Sequence, residues 1–169
     1  MRVYVPGTLA MLQQLVADRS LFAVNGTAFA VTPTLREGYA EGDDDELAEV
    51  ALREAALASL RLLAALDSDA DLPPRRAVVV ADTSTDVEAT IRPDLDDAVV
   101  RLSGPLPIDA VVAVYVDNAD AEPAVLAAVD VIDDADLGDE DAELTVGDAQ
   151  DHDLAWYAPQ ELPFLLELL

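Results

Sequence analysis

Residues 43–66 read DDDELAEVALREAALASLRLLAAL, and the reading of this stretch decides the fold. Asp43, Asp44, Asp45 and Glu46 place cap oxygens and negative charge where a helix dipole is positive. Beyond them there is no Gly or Pro, and Ala, Leu, Glu and Arg predominate, so one long helix is predicted. At about 100° per residue, Leu47, Ala48, Ala51, Leu52, Ala55, Ala56, Ala58, Ser59, Leu62, Leu63 and Leu66 form one uncharged half. Glu46, Glu49, Arg53, Glu54 and Arg61 fall on the other half, with Glu49 and Arg53 as an i,i+4 pair in the favourable order. A second apolar row, Val50, Leu57 and Ala64, runs through that charged half with Leu60 nearby. Isolated exposed apolar residues are ordinary. The sharper expectation is a second contact, with another part of this chain or with a second copy of it.

Working outward, the flanks alternate strand and helix signals. RVYV at residues 2–5 is a β-rich run ended by Pro6-Gly7, and Thr8 caps a helix to about Asp18 with Leu9, Leu12, Leu15 and Val16 on one face. Asn25-Gly26 is a turn signal before a strand at 27–32, and whether residues 21–24 pair with that strand as a hairpin is open. Pro33 stops it, and one helical turn follows at 35–40. After an acidic connection at 67–74, RAVVVAD (76–82) is nearly continuous in apolar residues, as in a strand covered on both faces. Residues 87–91 suit a short edge strand, and AVVRL (98–102) and VVAVYVD (111–117) are two further strands. Asp120 or Glu122 opens a helix with Pro123 in its first turn and Val125, Val129 and Ile132 as its stripe. Residues 133–153 look loop-like, LAWY (154–157) is a final strand, and Pro159 starts a last short helix. Its apolar end, FLLELL, should dock on the body or on a partner. The expectation is one domain over residues 1–169, of α/β (α+β) class, with a mixed sheet of five or six strands covered by helices.

Composition bounds the function. The chain has 169 residues, enough for one substantial core, and 52% are hydrophobic. There is no cysteine, which excludes disulfides, thiolate nucleophiles and Cys-based metal sites. The 35 acidic residues face nine basic ones, all Arg, for a net charge of −26. Such a surface repels nucleic acid and anionic membranes, whose binding depends on Lys and Arg. No apolar run reaches membrane-span length and the start MRVYVPGT lacks a signal-peptide core, so a cytoplasmic location is expected. The seven glycines match neither a dinucleotide fingerprint nor a phosphate loop, and without Lys there is no Schiff-base chemistry.

The remaining chemistry is sparse. Asp82 and Asp117-Asn118 stand at the carboxyl ends of the two most apolar strands, the edge where α/β sheets often bind ligands. Paired carboxylates there would hold Mg²⁺ or do acid–base work, although Asp also ends strands simply by capping the next turn. His152, the one histidine, lies between Asp151 and Asp153 and would serve as a base or a single metal ligand; the plain alternative is a loop residue. Trp156 and Tyr157 would add an aromatic wall, or belong to the core. The acidic runs at 43–46, 67–71, 133–136 and 139–141 invite a cation, but no EF-hand register fits them, and solvated loops and caps account for them. No cofactor is implied.

RVYVP, then TAFAVTP-LRE, EAALASLRLL and DHDLAWYAPQELPFLL together resemble a family of short acidic proteins from high-GC Gram-positive bacteria, a domain of unknown function. The resemblance implies no catalytic or ligand residue and favours codon composition over salt adaptation as the source of the acidity. The expectation is therefore a non-enzymatic binding or interaction domain, with self-association as a homo-oligomer through Val50, Leu57 and Ala64 as the candidate surface. A basic protein partner is a further possibility. The alternative is a metal-dependent enzyme acting on a small molecule through Asp82, Asp117 and His152, with Asn118, Trp156 and Tyr157 around the ligand.

Overall fold

The computed structural model describes residues 1–39, 41–65 and 72–169. Leu66, the acidic run 67–71 and the first part of the connection to residue 74 lie outside the described residues. The order is β1 (Arg2–Gly7), α1 (Leu9–Asp18), β2 (Ser20–Leu21), β3 (Thr27–Phe29), α2 (Pro33–Gly38) and α3 (Asp44–Ala65). Then come β4 (Ala77–Asp82), β5 (Ala89–Ile91), β6 (Val99–Leu102), β7 (Leu106–Pro107) and β8 (Val111–Val116). The chain closes with α4 (Glu122–Asp136), α5 (Glu140–Gln150), β9 (Ala155–Tyr157) and α6 (Leu162–Glu167).

The main sheet has seven strands in the order β5–β6–β3–β1–β4–β8–β9, and β2 and β7 form a small separate pair. The α/β class is the expected one. The sheet has more strands than the five or six expected, and every described pairing is antiparallel rather than mixed. The apolar runs of β4 and β8 suggested crossover-type coverage. They are covered on both faces, but by helices from elsewhere in the chain, and that coverage leaves strand direction free.

On one face α3 lies over Tyr4, Phe29, Val78, Val80 and Ala113. On the other, α1 and α6 bring Leu9, Leu12, Leu15, Leu162 and Leu165 against Val5, Val79 and Val114. The apolar tail thus docks on the body through Leu162 and Leu165, leaving Phe164 and Leu168 outside. Behind α3 sits the α4–α5 hairpin, packed through Val125, Ala128, Ile132, Val146 and Ala149 onto Leu60.

Local chemistry explains most of the boundaries. The Thr8 hydroxyl accepts from the Met11 N–H at 3.2 Å and starts α1; Asp43 accepts from the Glu46 N–H at 2.8 Å and starts α3. Three local expectations change. Pro6 and Gly7 stay inside β1, because the neighbouring β3 reaches β1 only at Tyr4 opposite Phe29 and needs no donor from Pro6. Residues 133–153 are mostly helical: α4 runs on to Asp136, and Asp139 accepts from the Ala142 N–H at 2.9 Å to start α5. The buried stripe Ala142, Val146 and Ala149, at i, i+4, i+7, was hidden under the acids around it. Residues 24–27 turn back at Asn25 and Gly26, both with φ near +60° to +70°. No hairpin follows, because Ser20–Leu21 pairs with Leu106–Pro107 instead.

Candidate functional site

The antiparallel register settles the geometry of the two sheet-edge aspartates. Ala77 lies opposite Val116 and Ala81 opposite Val111. Asp117 is therefore beside Arg76 at the start of β4, while Asp82 stands at its far end, roughly 15–20 Å away at the rise of a strand. They share no site, which corrects the paired-carboxylate expectation. Asp82 receives Nε and Nη2 of Arg2 at 3.0 and 3.1 Å, and this fork holds its carboxyl below the usual range.

Asp117 is fully buried and forms the polar centre of the molecule. Its carboxylate accepts Nε of Arg76 at 2.9 Å, Nη2 at 2.7 Å, and the Arg76 backbone N–H at 2.8 Å. The same guanidinium donates from Nη1 to Oε1 of Gln150 at 2.8 Å and from Nη2 to the carbonyl of His152 at 2.8 Å. Arg76 is 1% exposed and Asp117 0%. Two charges taken this far from water persist only with close, forked geometry and further hydrogen bonds, and here every nitrogen of the guanidinium has a partner. A carboxylate committed in this way cannot bind a metal without breaking the pair.

His152 joins this cluster through its backbone oxygen alone. Asn118 is exposed just beyond Asp117, at the start of a short 3₁₀ turn, with no side-chain cap. Gln150 and Ser59 were missed. The Ser59 hydroxyl donates to the Gly7 carbonyl at 2.7 Å and accepts from the Ala77 N–H at 3.1 Å, tying α3 to β1 and β4. The signal was available for the ion pair: an Arg opening one apolar strand and an Asp closing another meet only if the two are antiparallel neighbours.

Trp156 and Tyr157 point to opposite faces of β9, as successive strand residues must. Trp156 lies opposite Tyr115 and is 56% exposed, so it belongs to neither a core nor a shared wall. Tyr157 is half-buried against the α1–α6 side. The row Val50, Leu57 and Ala64 also separates. Val50 packs at the margin of the α3–sheet core, Leu57 packs with Leu60 and Leu63 against the α4–α5 hairpin, and Ala64 is exposed. The second contact of α3 is thus with this same chain.

Two features remain. A shallow groove of about 370 Å³ lies between the end of α1 and α6, walled by Val16, Ile108, Val111 and Pro163, with Arg19 and Asp109 loosely paired at 3.9 Å on its rim. None of the sequence candidates lines it. The acidic runs, where described, are helix ends, and among the described residues no group of three or more His, Cys, Asp or Glu is placed to hold a metal. Among the same residues no helix is long and apolar enough to cross a membrane.

Fold and interior together define the class: an α/β domain whose seven-stranded antiparallel sheet is buttressed by a buried internal ion pair. Within that class the chain belongs to a family of unknown function, DUF6912, matched over residues 1–166. Neither a curated protein nor a solved structure matches it.

Proposed function

We propose that this chain is a non-catalytic binding or interaction domain working in the cytoplasm, engaging a second copy or another protein. The observation that carries the reading is the commitment of every sequence-level catalytic candidate. Asp82 is held by Arg2, Asp117 is held by Arg76, and His152 contributes only its carbonyl to the described network. The metal-enzyme alternative required Asp82 and Asp117 to act together, and the register keeps them apart. What the surface offers instead is apolar: Phe22, Phe164, Leu168, Leu137, Leu144 and Trp156 are all more than half exposed. Phe164 and Leu168, beside the α1–α6 groove, provide the surface for self-association.

The test is to purify the chain from its own cells at moderate salt and measure its mass by light scattering. A homo-oligomer or a stoichiometric complex is expected. A lone monomer overturns the proposal.

A further inference from the structure

The charge is not spread evenly along the chain. After Arg101 there is no Lys or Arg, and 17 acidic residues fall in that stretch. Twelve of them lie in residues 122–153, which build the α4–α5 hairpin. Glu122 and Asp136 are paired with Arg75 and Arg61, and Asp139 caps α5. The other nine have no ion-pair partner among the described residues. Set among them are three outward leucines: Leu126 at 53% exposure, Leu137 at 87% and Leu144 at 70%. Leu126, Asp130, Asp133 and Leu137 are spaced i, i+4, i+7, i+11, so one side of α4 sets two carboxylates between two leucines, the second at the helix's C-terminal cap. Leu144 projects from α5 opposite its buried stripe of Ala142, Val146 and Ala149. The hairpin's inner side is filled by α3. Among the described residues nothing packs against its outer side.

We infer that the outer face of the α4–α5 hairpin docks a cationic amphipathic segment of another protein, a helix with Lys or Arg flanking apolar anchors. This rests on the interaction-domain reading and names the partner's chemistry. Charge complementarity selects the occupant. A second copy brings another net charge of −26 to a face already crowded with carboxylates, and nucleic acid or an anionic membrane is repelled in the same way. A basic helix relieves that repulsion while its apolar residues cover Leu137 and Leu144. Charge steers the encounter, and the leucines provide the grip that salt does not screen.

The experiment uses the full chain and three labelled synthetic peptides, read by fluorescence anisotropy at low and at physiological salt. One peptide is a Leu–Lys sequence with helical spacing, one a poly-Lys of equal charge, and one a Leu–Glu counterpart. The Leu–Lys peptide is expected to bind more tightly than poly-Lys and to retain binding at physiological salt, with no binding of Leu–Glu. Leu137→Ser with Leu144→Ser should weaken the Leu–Lys peptide by roughly tenfold or more. Phe164→Ser with Leu168→Ser should leave it unchanged. Circular dichroism confirms that each pair folds, since all four side chains are exposed. Equal binding of Leu–Lys and poly-Lys, an unchanged hairpin variant, or a loss confined to the Phe164–Leu168 variant each overturns the hairpin site. Such a result leaves the interaction-domain reading standing if the chain still purifies as a complex or oligomer. A lone monomer sinks that reading separately.

Discussion

At the scale of single residues, Arg76 and Asp117 carry the strongest energetic claim. Removing one partner leaves a buried, unpaired charge. Asp117→Ala should cost about 3–5 kcal/mol in denaturant unfolding, whereas Arg76→Met combined with Asp117→Leu should recover most of that loss, because the desolvation penalty leaves with the charges. If the double variant is no better than the single one, the pair contributes more than mutual neutralisation. The exposed forks behave differently. Arg61 holds the Asp136 carboxyl below its ordinary 3.8, so Asp136 adds stability above that pH and loses it as pH falls through the lowered value. Both side chains are more than 40% exposed, and solvent screens them. Asp136→Asn should therefore cost only about 0.2–1 kcal/mol at neutral pH, with the gap closing in strong acid; pH-resolved urea melts check this. The residues of the Arg76–Asp117 pair were visible in the sequence, but their pairing was not. Arg75-Arg76 and Asp117-Asn118 each look like strand-end punctuation until the strands are known to run in opposite directions.

At the scale of elements, α3 was read correctly as a helix and incompletely as a surface. Its predicted uncharged half does face the sheet through Leu47, Ala51 and Ala55. Leu60, on the other half, is fully buried beneath α4 and α5, with Leu57 and Leu63 beside it. Leu60→Ala should consequently cost about 2–5 kcal/mol, and Leu52→Ala, half-buried at the sheet margin, clearly less. Thermal melts of the two variants compare them directly, and equal losses would mean the hairpin is not packed on α3. The hairpin went unseen because α5 exposes acids and one leucine, Leu144, and buries only small side chains plus Val146, a stripe too faint to stand out. β9 and α6 were legible because each is a short apolar run bounded by a proline or an acidic segment.

At the scale of the whole molecule, the net charge of −26 sets how the fold responds to its medium. Most carboxylates are exposed, so self-repulsion is screened by salt rather than relieved by pairing. Melting temperature should rise as salt is raised from low values and level off once the Debye length falls below the spacing of the carboxylates. The chain should nonetheless be folded at low salt, since its core is full-sized in both sheet faces. An unfolded circular dichroism spectrum without molar salt would reverse this and mark the acidity as salt adaptation. The polar interior agrees with the expectation of a folded low-salt state. The Ser59 bridge and the Arg76 cluster join α3, β1, β4, β8 and the end of α5 through buried bonds that salt does not screen.

By itself, the sequence determined what depends on neighbours along the chain. The capped helix α3, the strands β4 and β8, the Thr8 and Asp43 caps, the Asn25-Gly26 turn and the lack of thiol or lysine chemistry all follow from local composition and period. Tertiary structure alone decided strand direction, and with it whether Asp82 and Asp117 meet, which side of α3 is covered twice, and which leucines face water. Backbone propensity and hydrophobic period act over a few residues. Pairing direction and burial depend on segments far apart in the chain, and side-chain period is the same in a parallel and an antiparallel strand.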